Sequence, residues 1–200
     1  MCRKKSCLRS KRSGSMKNST ERFFTVRNMV FIALFAAIIC IIAPFSINIG
    51  VIPISLGTLA IYFAGGFLGS KKGVAAVCVY ILLGAVGLPV FTGFSGGFAK
   101  LLGVTGGYII GFIPLVLLTG IFAERSKKLM PVGMVLGTIA CYAFGTAWFM
   151  ISTGSELVPA LMSCVVPFLI GDAIKIAAAT AVCIPLKSRL DKIIAKGNNQ

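Results

Sequence analysis

Six apolar stretches, separated by short polar segments, dominate the chain. Most of them approach the roughly 20 apolar residues that an α-helix needs to cross the hydrocarbon core of a membrane. Pro44 and Pro89 mark the ends of the first and third stretches, because proline interrupts a helix. The pattern therefore predicts an all-α membrane protein with six transmembrane helices, at about residues 28–43, 53–69, 73–90, 106–123, 131–151 and 159–186.

Both ends of the chain are basic, and this divides it into three parts. Residues 1–27 hold 9 of the 20 Lys and Arg residues and are rich in serine, which predicts a disordered cytosolic tail. Residues 28–187 form the predicted six-helix membrane domain, and residues 188–200 a cytosolic C-terminal tail. Positive tails are attracted to anionic membrane lipid. We expect no nucleic-acid binding, because the remaining positive charges lie between apolar stretches.

The positive charges also predict the orientation of the helices. The segments 44–52 and 152–158 contain no Lys or Arg, and the segment 91–104 contains only Lys100. The tails and the two other connections are basic. Cytoplasmic loops carry the excess of Lys and Arg. We therefore predict a multi-pass protein of the cell membrane with both termini in the cytoplasm.

Composition supports the membrane assignment and limits the chemistry. The chain is 57% hydrophobic and 12% charged, with a mean hydropathy of +0.95 and no histidine. Its seven cysteines include no CxxC pair, and five lie inside apolar stretches, as small packing residues do. Without histidine or paired acids, we predict no enzyme, no metal site and no cofactor.

Asp172 and Lys175 are the exceptional charges, because they lie together deep inside the sixth apolar stretch. Residues three apart share one face of a helix. A charge within the hydrocarbon costs about 2.5–3.5 kcal/mol on insertion scales, so such residues face a protein interior or a ligand. Two interpretations stay open: the pair lines a polar binding pocket, or the two charges satisfy each other and merely fix the helix.

The segment 91–107 is a second candidate for function. With Tyr108 it holds six glycines and four aromatic residues, which predicts either a lid over an external pocket or a plain flexible loop. The predicted orientation places this segment on the same outer side as Asp172. In the 44–52 connection, Asn48 is a candidate to bind a ligand or to cap the second helix.

Small residues four apart mark faces on which helices approach closely. Such pairs occur in three of the predicted helices and predict packing within the chain, or docking of a separate membrane protein. They are Ala33 with Ala37, Gly107 with Gly111, and Gly133 with Gly137.

The sequence TGGY at 105–108, followed by IIGF at 109–112, resembles the TGGYLxGF signature of the BioY family. The later GDAIK at 171–175 resembles the GDxxK motif of the same family, and further similar segments extend the resemblance from about residue 30 to 186 in the same order. Two positions depart from the family pattern: Val104 replaces a usual proline, and Gly57 replaces a common glutamine.

The resemblance implies a six-helix substrate-binding subunit, or S component, of an energy-coupling-factor (ECF) transporter. Such a subunit captures biotin from outside in a pocket under the 91–107 segment, and its partners are a transmembrane coupling protein and two ABC ATPases that use ATP. Alternatives are an S component for another vitamin, such as thiamine or riboflavin, or a structural membrane subunit that binds no small ligand.

The resemblance also implies roles for particular residues. In S components, alanines of the first helix contact the coupling protein, which would give Ala33 and Ala37 a docking role. The candidate substrate-binding residues are Asp172, Lys175, Tyr108, Gly106, Gly107, Thr105, Phe91, Asn48 and Lys100. Asp172 suits the ring N–H groups of biotin, Phe91, Phe94 and Tyr108 suit pocket walls, and Lys100 suits the carboxylate.

Overall fold

The computed structural model describes residues 26–48, 53–154, 156, 158, 161–162 and 165–197. Its elements, in chain order, are α1 Val26–Ile42, β1 Ser46–Asn48, β2 Pro53–Ser55, α2 Gly57–Val86, α3 Phe98–Leu102, α4 Gly106–Arg125, a 3₁₀ turn Lys127–Leu129, α5 Met130–Thr153 and α6 Val166–Gly197. Four helical spans in this described part are long and apolar enough to cross a membrane, and they are Gly57–Val86, Gly106–Arg125, Lys127–Thr153 and Phe168–Lys187. The shorter α1 is also apolar.

The predicted second and third helices form one element, α2, that is broken at Gly69. Gly69 has φ 80° and ψ −173°, a backbone conformation that favours glycine. Gly73 packs against Ala64 and Gly65, since a Cβ on Gly73 would lie 3.5 Å from atoms of both. Nine residues of straight helix would span about 13 Å. The two halves of α2 therefore fold back on each other, as two separate helices were predicted to do.

The connection between α1 and α2 contains a short β-hairpin that the sequence did not predict. β1 and β2 pair antiparallel, with Asn48 opposite Pro53. The second helix consequently begins at Gly57 rather than at residue 53. The Ser55 hydroxyl donates to the Ala43 carbonyl oxygen at 2.8 Å and accepts from the Gly57 N–H at 2.8 Å. Ser55 thus fixes this connection against the end of α1.

Glycines make the close contact between α4 and α5. A Cβ on Gly111 would lie 3.1 Å from Cys141 Sγ, and a Cβ on Gly137 would lie 2.8 Å from the Leu115 carbonyl oxygen. The two glycine pairs that the sequence singled out therefore serve packing within the chain, one of the two predicted uses. On α1, by contrast, Ala33 and Ala37 are exposed.

The predicted ends of the sixth helix differ from the structure. α6 begins at Val166 rather than at residue 159, with Pro167 in its first turn, where proline is favoured. Its backbone stays helical to Gly197, past the predicted boundary at 187, because the basic segment that follows contains no helix breaker before that glycine. The predicted disordered tail, 1–27, lies outside the described residues except for its last two positions, which begin α1.

Candidate ligand-binding site

Asp172 and Lys175 form an ion pair on α6, with 3.0 Å between Lys175 Nζ and Asp172 Oδ1. Both residues are buried, with 4% and 8% of their surfaces exposed. A buried charge is tolerated when it is paired and hydrogen-bonded. The predicted turn of helix thus brings the two charges together in the interior of the protein.

Lys175 also ties α6 to the beginning of α2. Its ammonium group donates to the Ser55 carbonyl oxygen at 2.7 Å and to Thr58 Oγ1 at 3.1 Å. With the bond to Asp172, these use the three donors of an ammonium group. A ligand carbonyl or carboxylate would therefore have to replace one of these partners in order to bind Lys175.

Asp172 has acceptor capacity left. Its Oδ1 accepts from Lys175 and, at 3.4 Å, from the Thr58 hydroxyl, while its Oδ2 accepts a hydrogen bond from the Tyr142 hydroxyl. A carboxylate has about four lone-pair positions for hydrogen bonds. Asp172 can therefore accept about one further donor, such as an N–H group of a ligand.

A cavity lies beside this pair, and its walls come from several parts of the chain. Thr92, Thr105 and Tyr108 reach it from the glycine-rich segment and the start of α4. The other lining residues come from α2, the 53–55 strand, α4, α5 and α6, and are Ser55, Thr58, Ile109, Phe112, Leu115, Thr138, Cys141, Tyr142, Phe168, Asp172 and Lys175. The mixture of apolar walls with a few convergent polar groups is typical of a small-molecule site.

The 91–107 segment is folded and joins the connection between α1 and α2. The Gly93 N–H donates to the Pro44 carbonyl oxygen at 3.0 Å. The rings of Phe45 and Phe94 meet edge to face, with their centroids 5.6 Å apart. The two connections therefore lie together at the same end of the helices as the cavity, as a lid would.

The structure does not bring every candidate to the cavity. Phe91 is fully buried against Tyr80, with ring centroids 5.6 Å apart, and its neighbour Thr92 lines the cavity instead. Lys100 lies half-buried on α3 and is not among the lining residues. Asn48 lies in β1, but its side chain is outside the described part of the structure.

Gly106 and Gly107 are buried at the start of α4, where packing alone requires small residues. A Cβ on Gly106 would lie 1.7 Å from the Leu101 carbonyl oxygen, and one on Gly107 would lie 2.2 Å from the Trp148 Cβ. Trp148 also donates from its indole N–H to the Gly103 carbonyl oxygen at 3.0 Å. The TGGY sequence thus lets the glycine-rich segment and α5 approach α4 while Tyr108 lines the cavity.

Sequence reasoning missed two residues that contact the ion pair, Thr58 and Tyr142. Threonine is common in apolar helices, and a tyrosine hydroxyl gives no sign of its partner in the sequence. The position of Tyr142 within the fifth apolar stretch, well away from either end, was the one available signal, because membrane tyrosines favour the interfaces.

The model of the BioY family matches residues 15–192. The chain belongs to the BioY family. Among curated proteins it is similar to a "Probable biotin transporter BioY" of Pyrococcus horikoshii, with 37% identity over 79% of this chain and 93% of that protein. It is also similar to a "Biotin transporter BioY" of Thermotoga maritima, with 34% identity over 81% and 96% of the two chains.

A solved structure of the S component for biotin from an ECF-type ABC transporter matches this BioY family member with a TM-score of 0.74. The two chains are 30% identical, and the match covers 82% of this chain and 92% of the other. The predicted family and the predicted all-α, S-component-like membrane fold are both confirmed.

Proposed function

We propose that this BioY family member is the substrate-binding membrane subunit of a biotin uptake transporter. The observation that carries the proposal is the cavity beside Asp172 and Lys175, in a fold that matches an S component for biotin. Its relatives, named as biotin transporters, favour biotin over thiamine or riboflavin.

The cavity suits the chemistry of biotin. The ureido ring presents two N–H donors, and Asp172 has capacity for a further donor. The thiophane ring is apolar, and Tyr108, Ile109 and Phe112 supply apolar walls. Thr105 adds a hydroxyl group that can donate or accept, whereas the Thr138 hydroxyl already donates to the Met134 carbonyl oxygen and can only accept. Lys175 serves mainly to hold Asp172 and the beginning of α2 in place.

Biotin enters from the external side, and both termini lie in the cytoplasm. The support is the low content of Lys and Arg in the two connections joined by Phe45 and Phe94. The basic segments lie at the other ends of the helices, as in cytoplasmic loops. On this orientation Lys100 lies on the external side, where it can meet the biotin carboxylate on entry.

The direct test is equilibrium binding of radiolabelled biotin to the detergent-purified protein, with unlabelled thiamine and riboflavin as competitors. We expect saturable binding that excess biotin displaces and the two other vitamins do not. Displacement by thiamine or riboflavin would favour an S component for another vitamin. The absence of saturable binding at micromolar biotin would contradict the proposal and favour a structural subunit.

The partners are a transmembrane coupling protein and two ABC ATPases, which supply the ATP-dependent step. The support is the similarity to a subunit of an ECF-type ABC transporter, together with the exposed Ala33 and Ala37 on α1. Small exposed residues let a partner helix approach the backbone closely. The glycines of α4 and α5 are already used within the chain, so α1 is the better docking face.

A bulky residue on α1 tests this docking face. Ala37→Trp should reduce biotin uptake by cells about tenfold while the purified subunit still binds biotin, because the indole ring keeps the partner helix away. The matched control is Ala143→Trp, at an exposed alanine of α5. Equal uptake by the two variants would count against docking through α1.

A further inference from the structure

A second space, a groove of about 680 Å³, runs between α5 and α6 on the outside of the ligand cavity. Val135, Ile139 and Leu169 line it and are exposed. Both helices are membrane-spanning, so hydrocarbon is the medium outside this groove. The groove therefore lies between the surrounding hydrocarbon and the side of the ligand cavity.

The groove and the ligand cavity share three residues, Thr138, Tyr142 and Asp172. The wall between them is consequently one side chain thick. Thr138 is anchored within its own helix, because its hydroxyl donates to the Met134 carbonyl oxygen at 2.8 Å. Tyr142, by contrast, reaches across from α5 and donates to Asp172 Oδ2 on α6.

We propose that Tyr142 is a positioning residue that closes the cavity against the membrane and fixes the carboxylate of Asp172. Its side chain lines both the cavity and the groove between α5 and α6, and its hydroxyl donates to Asp172 Oδ2. An ionised oxygen facing hydrocarbon is strongly disfavoured. Tyr142 therefore holds the carboxylate of Asp172 in place at the edge of the ligand cavity.

Another polar contact between the two helices is weak. In the described part of the chain, the Thr180 hydroxyl lies 3.7 Å from Met134 Sδ, which is a weak acceptor. α5 and α6 also make far less contact with each other than α5 makes with α4. Loss of the Tyr142 side chain should thus open this side of the cavity rather than another.

The test uses Cys141, which lines the cavity and is 3% exposed, as a built-in probe. Proteoliposomes are treated with a maleimide on an alkyl chain that stays in the bilayer, and labelling is measured peptide by peptide by mass spectrometry. Cys183, fully buried elsewhere on α6, is the internal reference for general loosening. This readout needs no biotin.

Tyr142→Ala should raise the labelling rate of Cys141 at least about tenfold and leave Cys183 unchanged. Tyr142→Phe should stay near the wild-type rate, because the variant retains the ring. An unchanged Cys141 rate in Tyr142→Ala, or an equal rise at Cys183, would overturn the barrier role.

The second readout rests on the proposed function. Tyr142→Phe should weaken biotin binding about tenfold, the effect of one hydrogen bond to a charged group. Tyr80→Phe, at a buried tyrosine outside the cavity lining, should bind like wild type. Wild-type affinity in Tyr142→Phe would overturn the positioning role. If the wild-type protein itself failed to bind biotin, the proposed function would be wrong. The labelling experiment would still show whether Tyr142 closes the cavity against the membrane.

Discussion

Two polar clusters lie at opposite ends of α4 and use the same kinds of residues for different purposes. The cavity cluster consists of Asp172, Lys175, Thr58 and Tyr142 and borders the ligand cavity. The cap cluster consists of Glu124, Ser70 and Lys187 at the other end, and none of its members lines that cavity. Each contains one carboxylate and one lysine.

The cap cluster serves the main chain where helices break or end. Glu124 Oε1 accepts from the Ser70 N–H at 2.7 Å, just after the break at Gly69. Lys187 Nζ donates to the carbonyl oxygens of Gly66 and Ala123, both at 3.1 Å. Such terminal N–H and C=O groups have no partner within their own helix. Glu124 and Lys187 therefore supply hydrogen-bond partners for main-chain groups that have none within their own helix.

The cavity cluster differs from the cap cluster because it retains unused hydrogen-bonding capacity. Its hydrogen bonds run mostly between side chains of three different helices, and Asp172 keeps capacity for another donor. A cluster that only stabilised the fold would not need a carboxylate at the edge of a cavity. The comparison predicts that charges of the cavity cluster control binding as well as stability, whereas those of the cap cluster control stability alone.

The largest effects are expected from removing one charge of the ion pair. Asp172→Asn or Lys175→Met should weaken biotin binding more than about a hundredfold. Each should also lower the free energy of unfolding by about 3–5 kcal/mol, because the remaining charge is buried without its partner. Calorimetric titration and unfolding in denaturing detergent measure the two quantities. If a variant lost stability but bound biotin like wild type, the pair would have a structural role and no role in binding.

A smaller effect on binding is expected at Thr58, which contacts both charges. Thr58→Val keeps the shape and removes the hydroxyl, so the carboxylate and the ammonium group lose one shared partner. We expect biotin affinity to fall about tenfold, which corresponds to about 1.4 kcal/mol. Thr119→Val is the control, because this buried threonine lies outside the cavity lining. Equal affinities for the two variants would remove Thr58 from the site.

Glu124→Ala tests the cap cluster. The variant loses the acceptor for the Ser70 N–H at the beginning of a helix, and such a loss costs about 1 kcal/mol of stability. The unfolding free energy should fall by this amount, with biotin affinity unchanged within about twofold. Weakened biotin binding at an unchanged free energy of unfolding would contradict the assignment of Glu124 to stability alone.

The smallest effect is expected from Lys187→Met. It removes a cation that interacts with carbonyl oxygens near the ends of two helices, which is typically worth about 0.3–1 kcal/mol. The melting temperature in detergent should fall slightly, while biotin affinity stays that of wild type. A loss of affinity would show that the two ends of α6 are coupled.

How far the sequence predicted these features depends on how rare each signal is. Asp172 and Lys175 stood out because charges are rare inside apolar stretches, and their spacing already placed them on one helical face. Thr58 and Tyr142 escaped detection because their role depends on which residues the folded chain brings opposite them. The same holds for Phe91, whose aromatic ring suits a cavity wall or, as here, the core.

The same holds for the fold, because features with a distinctive sequence signal could be predicted. Helix number and class follow from apolar length, which the sequence displays directly. The break between the predicted helices 53–69 and 73–90 was also visible in the sequence, and it corresponds to the fold-back at Gly69. The hairpin at 46–55 depends on pairing between two three-residue strands, too short to leave an alternating pattern. Such a hairpin becomes visible only when the two segments are in contact.

The most direct test of the account is a calorimetric titration of biotin into the double variant Asp172→Asn/Lys175→Met. Removing both charges leaves no unpaired charge, so this protein should recover most of the stability that either single variant loses. We predict that it stays folded and monodisperse and gives no saturable binding heat at micromolar biotin. A folded double variant that bound biotin like wild type would contradict the claim that binding depends on this pair.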